Sequence, residues 1–213
     1  MSQERIVLWR HGQTDWNIEN RFQGHTDIPL NAVGHFQAEH ASKILLGMNP
    51  LKIVSSDLTR TQQTAGALSR LTKLEIITHS GLRETHGGQW EGRTGSENRE
   101  SDEKNFLGWL HGEDIPAGGT GERRSEVASR ARSVIENEMA LCQGTVIFVT
   151  HGGTARCVLG SMLGLPFERW GSLGGLANAS WSVLEKNSIG AWSLTEHNAG
   201  SIPEPIFGNE SSS

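Results

Sequence analysis

Residues 52–79 read KIVSSDLTRTQQTAGALSRLTKLEIITH, and the architecture of the protein follows from this stretch. Its two ends, KIVSSD and LEIITH, are short and rich in β-branched residues, as β-strands are. The residues between them, from about Leu58 to Leu71, have the length and pattern of a helix. A helix between two strands is the crossover that joins neighbouring parallel strands. The stretch therefore predicts an α/β protein.

The same order of strand and helix recurs along the chain. Ile6 to Trp9 is a short apolar stretch that predicts the first strand. Residues 31–47, NAVGHFQAEHASKILLG, place apolar side chains at helical spacing and close at a glycine. Residues 123–141 predict another helix ahead of the strongest strand, TVIFVT at 145–150. This alternation predicts a mostly parallel central sheet with helices on both faces, a three-layer α/β/α sandwich.

The remaining segments complete a single domain. Thr94 to His111 is weakly helical, and ASWSVLE at 179–185 and AWSLTEHN at 191–198 alternate with period two. The alternation predicts two further strands at an edge of the sheet. A chain of 213 residues with 35% hydrophobic content can bury one substantial core. We expect one domain over residues 1–205 and a disordered tail over residues 206–213.

Composition excludes several classes of partner. The net charge of −5 provides no basic surface for a phosphate backbone, so we expect no nucleic acid. No segment approaches the roughly 20 apolar residues that span a bilayer, and MSQER at the N-terminus lacks a signal region. We therefore expect a cytoplasmic protein without a membrane partner, in which Cys142 and Cys157 are reduced thiols. The expected partner is a small molecule, and a homodimer is compatible with the sequence.

Charged residues follow four of the predicted strands. Arg10 and His11 end the first strand, and Arg60 lies in the first turn of the helix after the second. Glu84 comes a few residues after the third strand, and His151 directly follows TVIFVT. Ligands of open α/β sheets bind beyond the carboxyl ends of the strands. These side chains are therefore predicted to meet at one site.

This set of side chains suits a phosphate ester. Two guanidinium groups and two imidazoles match a phosphate dianion, and the helix that begins after His151 adds backbone donors. A carboxylate beside an anion is unfavourable unless it carries a proton, so Glu84 has the chemistry of a general acid. The chain has no GxxxxGK[ST], GxGxxG, GxSxG or HExxH motif, which removes the simplest nucleotide-binding, serine-hydrolase and zinc-protease sites. We expect no metal and no cofactor, because the arginines and histidines already supply positive charge.

Four blocks of sequence resemble those of a known family. RHG at 10–12, SSDLTRTQQTA at 55–65, LRETHGGQWEG at 82–92 and VTHGG at 149–153 occur in this order. Together they resemble the histidine phosphatase superfamily, also called the phosphoglycerate mutase-like family. The resemblance runs from about Ile6 to Trp192 and implies a phosphoglycerate mutase-like fold.

The resemblance also implies a role for each residue at the strand ends. His11 attacks the phosphorus and forms a phosphohistidine. Arg10, Arg60 and His151 hold the phosphoryl oxygens, and Glu84 protonates the departing oxygen. The implied substrate-binding set is Arg10, Asn17, Gln23, Gly24, Arg60, Glu84, His151 and Gly152.

A nucleophilic histidine must present an unprotonated nitrogen. We expect the other ring nitrogen of His11 to donate to a backbone carbonyl, because that bond selects the required tautomer. Gly12 is expected to keep the space beside the nucleophile open.

The sequence also predicts where several other aromatic and cationic residues lie. Trp16 and Trp109 are expected in the pocket wall, whereas His25 and five other scattered histidines are expected at the surface. Arg123 and Arg124 open a predicted helix and are expected to be solvated, with steering of an anionic substrate as the alternative.

Longer stretches resemble one branch of the family, the glucosyl-3-phosphoglycerate phosphatases. RFQGHTDIPL at 21–30 and WGSLGGLANASW at 170–181 carry this resemblance. It implies a substrate with a phosphate, a carboxylate and a sugar, and Arg123, Arg124 or His86 would bind the carboxylate. A phosphoglycerate mutase and a broad-specificity phosphatase are the alternatives. The resemblance implies that mutases carry a longer insertion after the acid-bearing block than this chain has.

Overall fold

The computed structural model describes residues 4–200 of the 213-residue chain. A six-stranded sheet lies at its centre. The strands are β1 (Arg5–Arg10), β2 (Lys52–Ser55), β3 (Ile76–Thr78), β4 (Thr145–Thr150), β5 (Trp181–Lys186) and β6 (Trp192–Ala199).

The strands follow the order β3-β2-β4-β1-β5-β6 across the sheet. The first four of that row pair in parallel, whereas β5 pairs antiparallel with β1 and β6 antiparallel with β5. The mostly parallel sheet with two added strands on one side confirms the fold class predicted from the sequence. The expected tail at 206–213 lies outside the described residues, and the domain boundary at residue 205 stays a prediction.

Helices pack around this sheet. Within residues 4–200, no helix combines the length and apolar character needed to cross a bilayer. The helices are α1 (Asp15–Ile18), α2 (Ala32–Leu46), α3 (Thr59–Thr72), α4 (Gly95–Ser101), α5 (Glu103–Leu110), α6 (Arg124–Ala140) and α7 (Gly152–Met162). Short 3₁₀ turns occur at Ser80–Leu82, Gly88–Trp90, Ala117–Gly119 and Phe167–Ser172.

The two faces of the sheet carry separate cores. Side chains alternate along β1, so Val7 and Trp9 pack with α2 and α3 while Ile6 and Leu8 pack with α6 and α7. All six residues of β4 are buried, because this strand lies in the middle of the sheet and is covered on both faces. The molecule is therefore the three-layer sandwich that the sequence predicts.

Residues 94–111 form two helices where the sequence indicates one. Asp102 has φ −155° and ψ 64°, which ends α4 and begins α5 in a new direction. The bend lets Phe106 and Trp109 pack edge to face against Trp90, with ring centroids 5.4 and 5.7 Å apart. These rings form a small core with Ala117. We call residues 94–123 the cap.

Candidate active site

The carboxyl ends of β1 and β4 bring two histidines together. Arg10 and Thr150 are partners in the parallel ladder, and the His11 amide continues the pairing by donating to the Thr150 carbonyl at 3.0 Å. The next residue along β4 is His151, whose ring centroid lies 5.2 Å from that of His11. Both side chains are buried, so the sheet register itself places this pair.

His11 is held as a neutral imidazole. Its Nδ1 lies 2.7 Å from the Gly12 carbonyl oxygen, which can only accept, so Nδ1 carries the proton. Burial holds the pKa of His11 well below its ordinary value, and the guanidiniums of Arg60 and Arg10 lower it further. Nε2 therefore keeps a free lone pair, in the tautomer expected from the sequence.

Gly12 has a different role from the one expected. A Cβ at this position would lie 2.4 Å from the Gly34 carbonyl oxygen, in the first turn of α2. In turn, a Cβ at Gly34 would lie 2.1 Å from the Gln13 carbonyl oxygen. The prediction that Gly12 opens space beside the nucleophile is wrong, because the glycine pair lets the backbone after β1 contact α2 directly.

Arg60 is fully buried and uses its guanidinium to bind backbone carbonyls. Its Nη2 donates to the Gly24 carbonyl at 2.8 Å and its Nη1 to the Thr26 carbonyl at 2.9 Å. Burial lowers the pKa of Arg60 to about 10, so the group stays charged at neutral pH. Gly24 adopts φ +51°, and a Cβ there would lie 2.2 Å from Glu91 Oε1. The Gly24 loop therefore sets the position of the buried cation.

His151 contacts Arg60 and Ser56 through its two ring nitrogens. Its Nδ1 accepts from Arg60 Nε at 3.3 Å, and its Nε2 lies 3.1 Å from Ser56 Oγ. Burial holds the pKa of His151 well below its ordinary value, with further lowering by Arg60 and His11. The side chain is completely buried and, unlike Arg60, is not among the residues that line the cavity, so its predicted contact with the phosphoryl oxygens stays a prediction.

Arg10 uses one guanidinium nitrogen to bind a backbone carbonyl and leaves another without a partner in the described part of the chain. Its Nη1 donates to the Leu176 carbonyl, and its Nε is buried with no hydrogen-bond partner among residues 4–200. Gly152 lies against it, since a Cβ on Gly152 would be 3.5 Å from that Nε. Burial lowers the pKa of Arg10, while the charge of Glu84 raises it.

The amino end of α7 binds the carboxylate of Glu84. Gly153 N donates to Oε2 at 3.0 Å and Thr154 N to Oε1 at 3.0 Å, and Thr85 N adds a third bond of 2.8 Å. The sequence predicts that the backbone donors of this helix bind the phosphate. In the structure the Gly153 and Thr154 amides are engaged by Glu84 instead.

The loop that carries Glu84 is fixed by residues the sequence analysis missed. Arg130 of α6 donates to the carbonyls of Gly81, Arg83 and Glu84 at 2.7 to 2.9 Å, and Glu122 binds its guanidinium at 2.7 and 2.9 Å. His25 Nε2 donates to the same Glu84 carbonyl at 2.9 Å. The expectation that His25 is a surface residue is wrong, because its side chain is only 27% exposed.

A cavity of about 900 Å³ opens above these residues. Asn17 and Gln23, both assigned to the substrate, lie in its wall, and the buried Gln23 Oε1 has no partner within residues 4–200. Trp16 and Trp109 lie in the wall as predicted, whereas His86 is not part of it. Predicted site residues in the wall are Arg10, His11, Asn17, Gln23, Gly24, Arg60, Glu84 and Gly152.

Arg124 also lies in this wall, which corrects the expectation that it is solvated. It is only 8% exposed, its guanidinium sits 4.0 Å from the centroid of the Trp109 ring, and its Nη1 donates to the Trp109 carbonyl at 2.8 Å. The preceding Arg123 is exposed, as expected for the start of a helix. Cys157 lies beside Arg124 in the wall, and burial raises the pKa of its thiol to about 12, so it is not a nucleophile at neutral pH.

A neutral histidine beside two guanidiniums, with a carboxylate at the same strand ends, defines a phosphoryl-transfer site on an α/β sheet. Residues 6–200 match the histidine phosphatase superfamily (branch 1), and the chain belongs to that family. It is 36% identical over 187 residues to glucosyl-3-phosphoglycerate phosphatase of Mycobacterium tuberculosis, covering 84% of this chain and 83% of the relative. It is 35% identical over 166 residues to a probable phosphoglycerate mutase of Photorhabdus laumondii, covering 76% of each.

A solved structure has the same fold. A mycobacterial glucosyl-3-phosphoglycerate phosphatase in complex with VO3 superposes with a TM-score of 0.87 at 36% identity. The match covers 92% of this chain and 99% of that one.

Proposed function

We propose that the protein is a phosphomonoesterase that works through a phosphohistidine on His11. The observation that carries the proposal is the state of His11 itself, a neutral imidazole with Nε2 free in the cavity and Nδ1 bound to the Gly12 carbonyl. Such a nitrogen can attack phosphorus without first losing a proton. The guanidiniums of Arg10 and Arg60 lie close enough to His11 to lower its pKa. They are therefore also near the phosphoryl group that His11 attacks, where negative charge develops on the oxygens.

The reaction has two steps. In the first, His11 Nε2 forms a bond to phosphorus, the ester P–O bond breaks, and Glu84 gives its proton to the departing oxygen. In the second, water attacks the phosphohistidine, the P–N bond breaks, and Glu84 takes the proton from the water. Inorganic phosphate then leaves, and His11 and Glu84 return to their starting states.

The substrate we propose is glucosyl-3-phosphoglycerate. Two observations support it: the relatives of that name at 36% identity, and a cavity of about 900 Å³ that is far larger than a phosphate requires. Part of the cavity wall is aromatic, as in sites that bind the apolar face of a sugar ring. The wall residues concerned are Trp16, Trp109, Phe167 and Trp170.

A comparison of two substrates tests this proposal. We expect kcat/KM for glucosyl-3-phosphoglycerate to exceed that for 3-phosphoglycerate by at least about tenfold. The reason is that only the first has a sugar ring to pack against the aromatic wall. A smaller preference would favour a broad-specificity phosphatase.

A phosphoglycerate mutase is the second candidate, because one relative at 35% identity is a probable mutase. In a mutase the phosphohistidine returns its phosphoryl group to another hydroxyl of the substrate. Phosphate release from 3-phosphoglycerate without formation of 2-phosphoglycerate would decide for the phosphatase, and the reverse result would decide for the mutase.

The proposal places the reaction in the cytoplasm. The two cysteines, Cys142 and Cys157, are both free thiols, as is usual for proteins of a reducing compartment. A homodimer is part of the same proposal, and sedimentation of the purified protein tests it.

A further inference from the structure

A second pair of arginines lies in the cavity wall, away from the nucleophile. Arg156 is on α7 one turn after Gly152, and residues four apart share a face of a helix. Both Gly152 and Arg156 line the cavity, so this face of α7 extends along the cavity wall from the phosphate end. Arg156 is therefore displaced from Gly152 by about 6 Å along the helix axis.

Arg124 meets the same part of the cavity from another element. It is the first residue of α6 and lies under the cap, where its guanidinium contacts the face of Trp109 at 4.0 Å. The bond from its Nη1 to the Trp109 carbonyl holds the group in place. A guanidinium fixed in this way loses little conformational freedom when an anion binds to it.

The positive charges of these arginines lie close enough to lower the pKa of a neighbouring arginine. Burial lowers the pKa of Arg156, and the guanidinium of Arg124 lowers it further. The pKa of Arg10, at the phosphate end, is in turn lowered by burial and by the charge of Arg156. Positive charge thus continues from the phosphate end of the cavity along α7 to the cap, and like charges held this close favour the binding of an anion between them.

We propose that Arg124 and Arg156 form a second anion subsite that binds the carboxylate of a phosphoglycerate unit. The inference rests on the proposed function, because it assumes that the bound ester is a phosphoglycerate. A three-carbon acid separates its phosphate from its carboxylate by a length similar to one helical turn. With the phosphate at Arg10 and His11, the carboxylate reaches the level of Arg156, where planar guanidiniums can bind both of its oxygens.

Two esters that differ only in the carboxylate test the subsite. Glycerol 3-phosphate has a CH₂OH group where 3-phosphoglycerate has its carboxylate. We expect wild-type kcat/KM to favour 3-phosphoglycerate by at least about tenfold, and Arg156→Gln to lower that ratio by at least about tenfold. Arg132→Gln is the matched control, because Arg132 is a half-exposed arginine of α6 that does not line the cavity and pairs with Glu136 and Ser161. The control should keep the wild-type ratio.

Three results would overturn the subsite. They are a wild-type ratio near one, an unchanged ratio in Arg156→Gln, or an equal loss of the ratio in Arg132→Gln. If Arg156→Gln does not fold, as judged by its melting curve, Arg156→Lys replaces it and should retain part of the preference, because lysine keeps the charge without the planar fork.

Failure of the proposed function gives a different result. A protein that releases phosphate from neither of these esters nor from glucosyl-3-phosphoglycerate refutes the phosphatase, while binding still tests the subsite. Calorimetric titration of His11→Ala with the two esters should then show tighter binding of 3-phosphoglycerate, and equal affinities would refute the subsite alone.

Discussion

Replacing Glu84 by glutamine separates proton donation from phosphate binding. The substitution keeps the size of the side chain but removes the proton that the departing oxygen needs. General acid catalysis contributes about 10²- to 10⁴-fold, so kcat/KM for an alkyl ester such as glycerol 3-phosphate should fall by that factor. 4-Nitrophenyl phosphate has a leaving group that departs without protonation, and its kcat/KM should fall by less than about tenfold.

The structure also sets the cost of this substitution to folding. The Glu84 carboxylate accepts from Gly153 N at Oε2 and from Thr154 N and Thr85 N at Oε1. A glutamine can keep its oxygen at the Oε1 position, but its NH₂ group then faces the Gly153 amide, donor against donor. An unsatisfied amide costs about 1–3 kcal/mol when it is fully buried and less at the half-buried Gly153, so the variant should unfold at lower temperature and must be assayed where it is folded.

The assay is the ratio of rate losses on the two esters. The value of kcat/KM covers the steps up to loss of the alcohol, so it responds to the leaving group even if hydrolysis of the phosphohistidine limits kcat. Glu168→Gln is the control, because Glu168 is an exposed carboxylate in the same cavity wall that makes none of these bonds. It should change both rates equally and slightly. Equal losses of both rates in Glu84→Gln would refute the general-acid role.

Three further predictions concern the nucleophile and its support. His11→Ala should lower kcat by about 10⁶-fold, because no other group forms the covalent intermediate, and retention of more than about a hundredth of the wild-type rate would contradict its role. The pKa values of His11 and His151 lie well below 6.5 in the folded protein, so below about pH 6.5 the unfolded chain takes up protons that the folded one does not. The free energy of unfolding in urea should therefore decrease as pH falls from 7 to 5.5, by up to about 1.4 kcal/mol per pH unit for each histidine, and a flat profile would show that they are not held neutral. Gly12→Ala should destabilise the fold by about 1–3 kcal/mol or more, because its Cβ would lie 2.4 Å from the Gly34 carbonyl oxygen, whereas Gly171→Ala, with no atom within 4 Å, should melt like wild type.

The fold and the grouping of the strand-end residues at one site could be predicted from the sequence because each depends on local pattern and chain order. Apolar strands alternate with helices, and a parallel sheet brings the residues after its strands to one edge. Arg10 ends β1, and His11 and His151 directly follow β1 and β4. These two strands are neighbours in the sheet, so the strand order brings the three residues together. The tautomer of His11 was likewise predictable, because an attacking nitrogen requires a partner for the other ring nitrogen.

The residues that escaped prediction depend on contacts between distant segments. Arg124 stands in a polar stretch at the start of a helix, a pattern typical of solvated arginines, but in the folded chain it is buried and packs on Trp109 of the cap. The sequence around Arg130 does not indicate its role, because Arg130 binds carbonyls of a loop that lies 46 to 49 residues earlier in the chain.

Gly12 and Glu84 show the same difference between what chain order decides and what tertiary contacts decide. The sequence determined that Gly12 stands next to the predicted nucleophile and that Glu84 follows a strand toward the sheet edge, because chain order decides both. Only the tertiary structure decided that Gly12 accommodates Gly34 of α2 and that Glu84 occupies the Gly153 and Thr154 amides. The physical reason is that chain order decides which residues reach the sheet edge, whereas steric fit and hydrogen-bond partners arise from segments that meet only after folding.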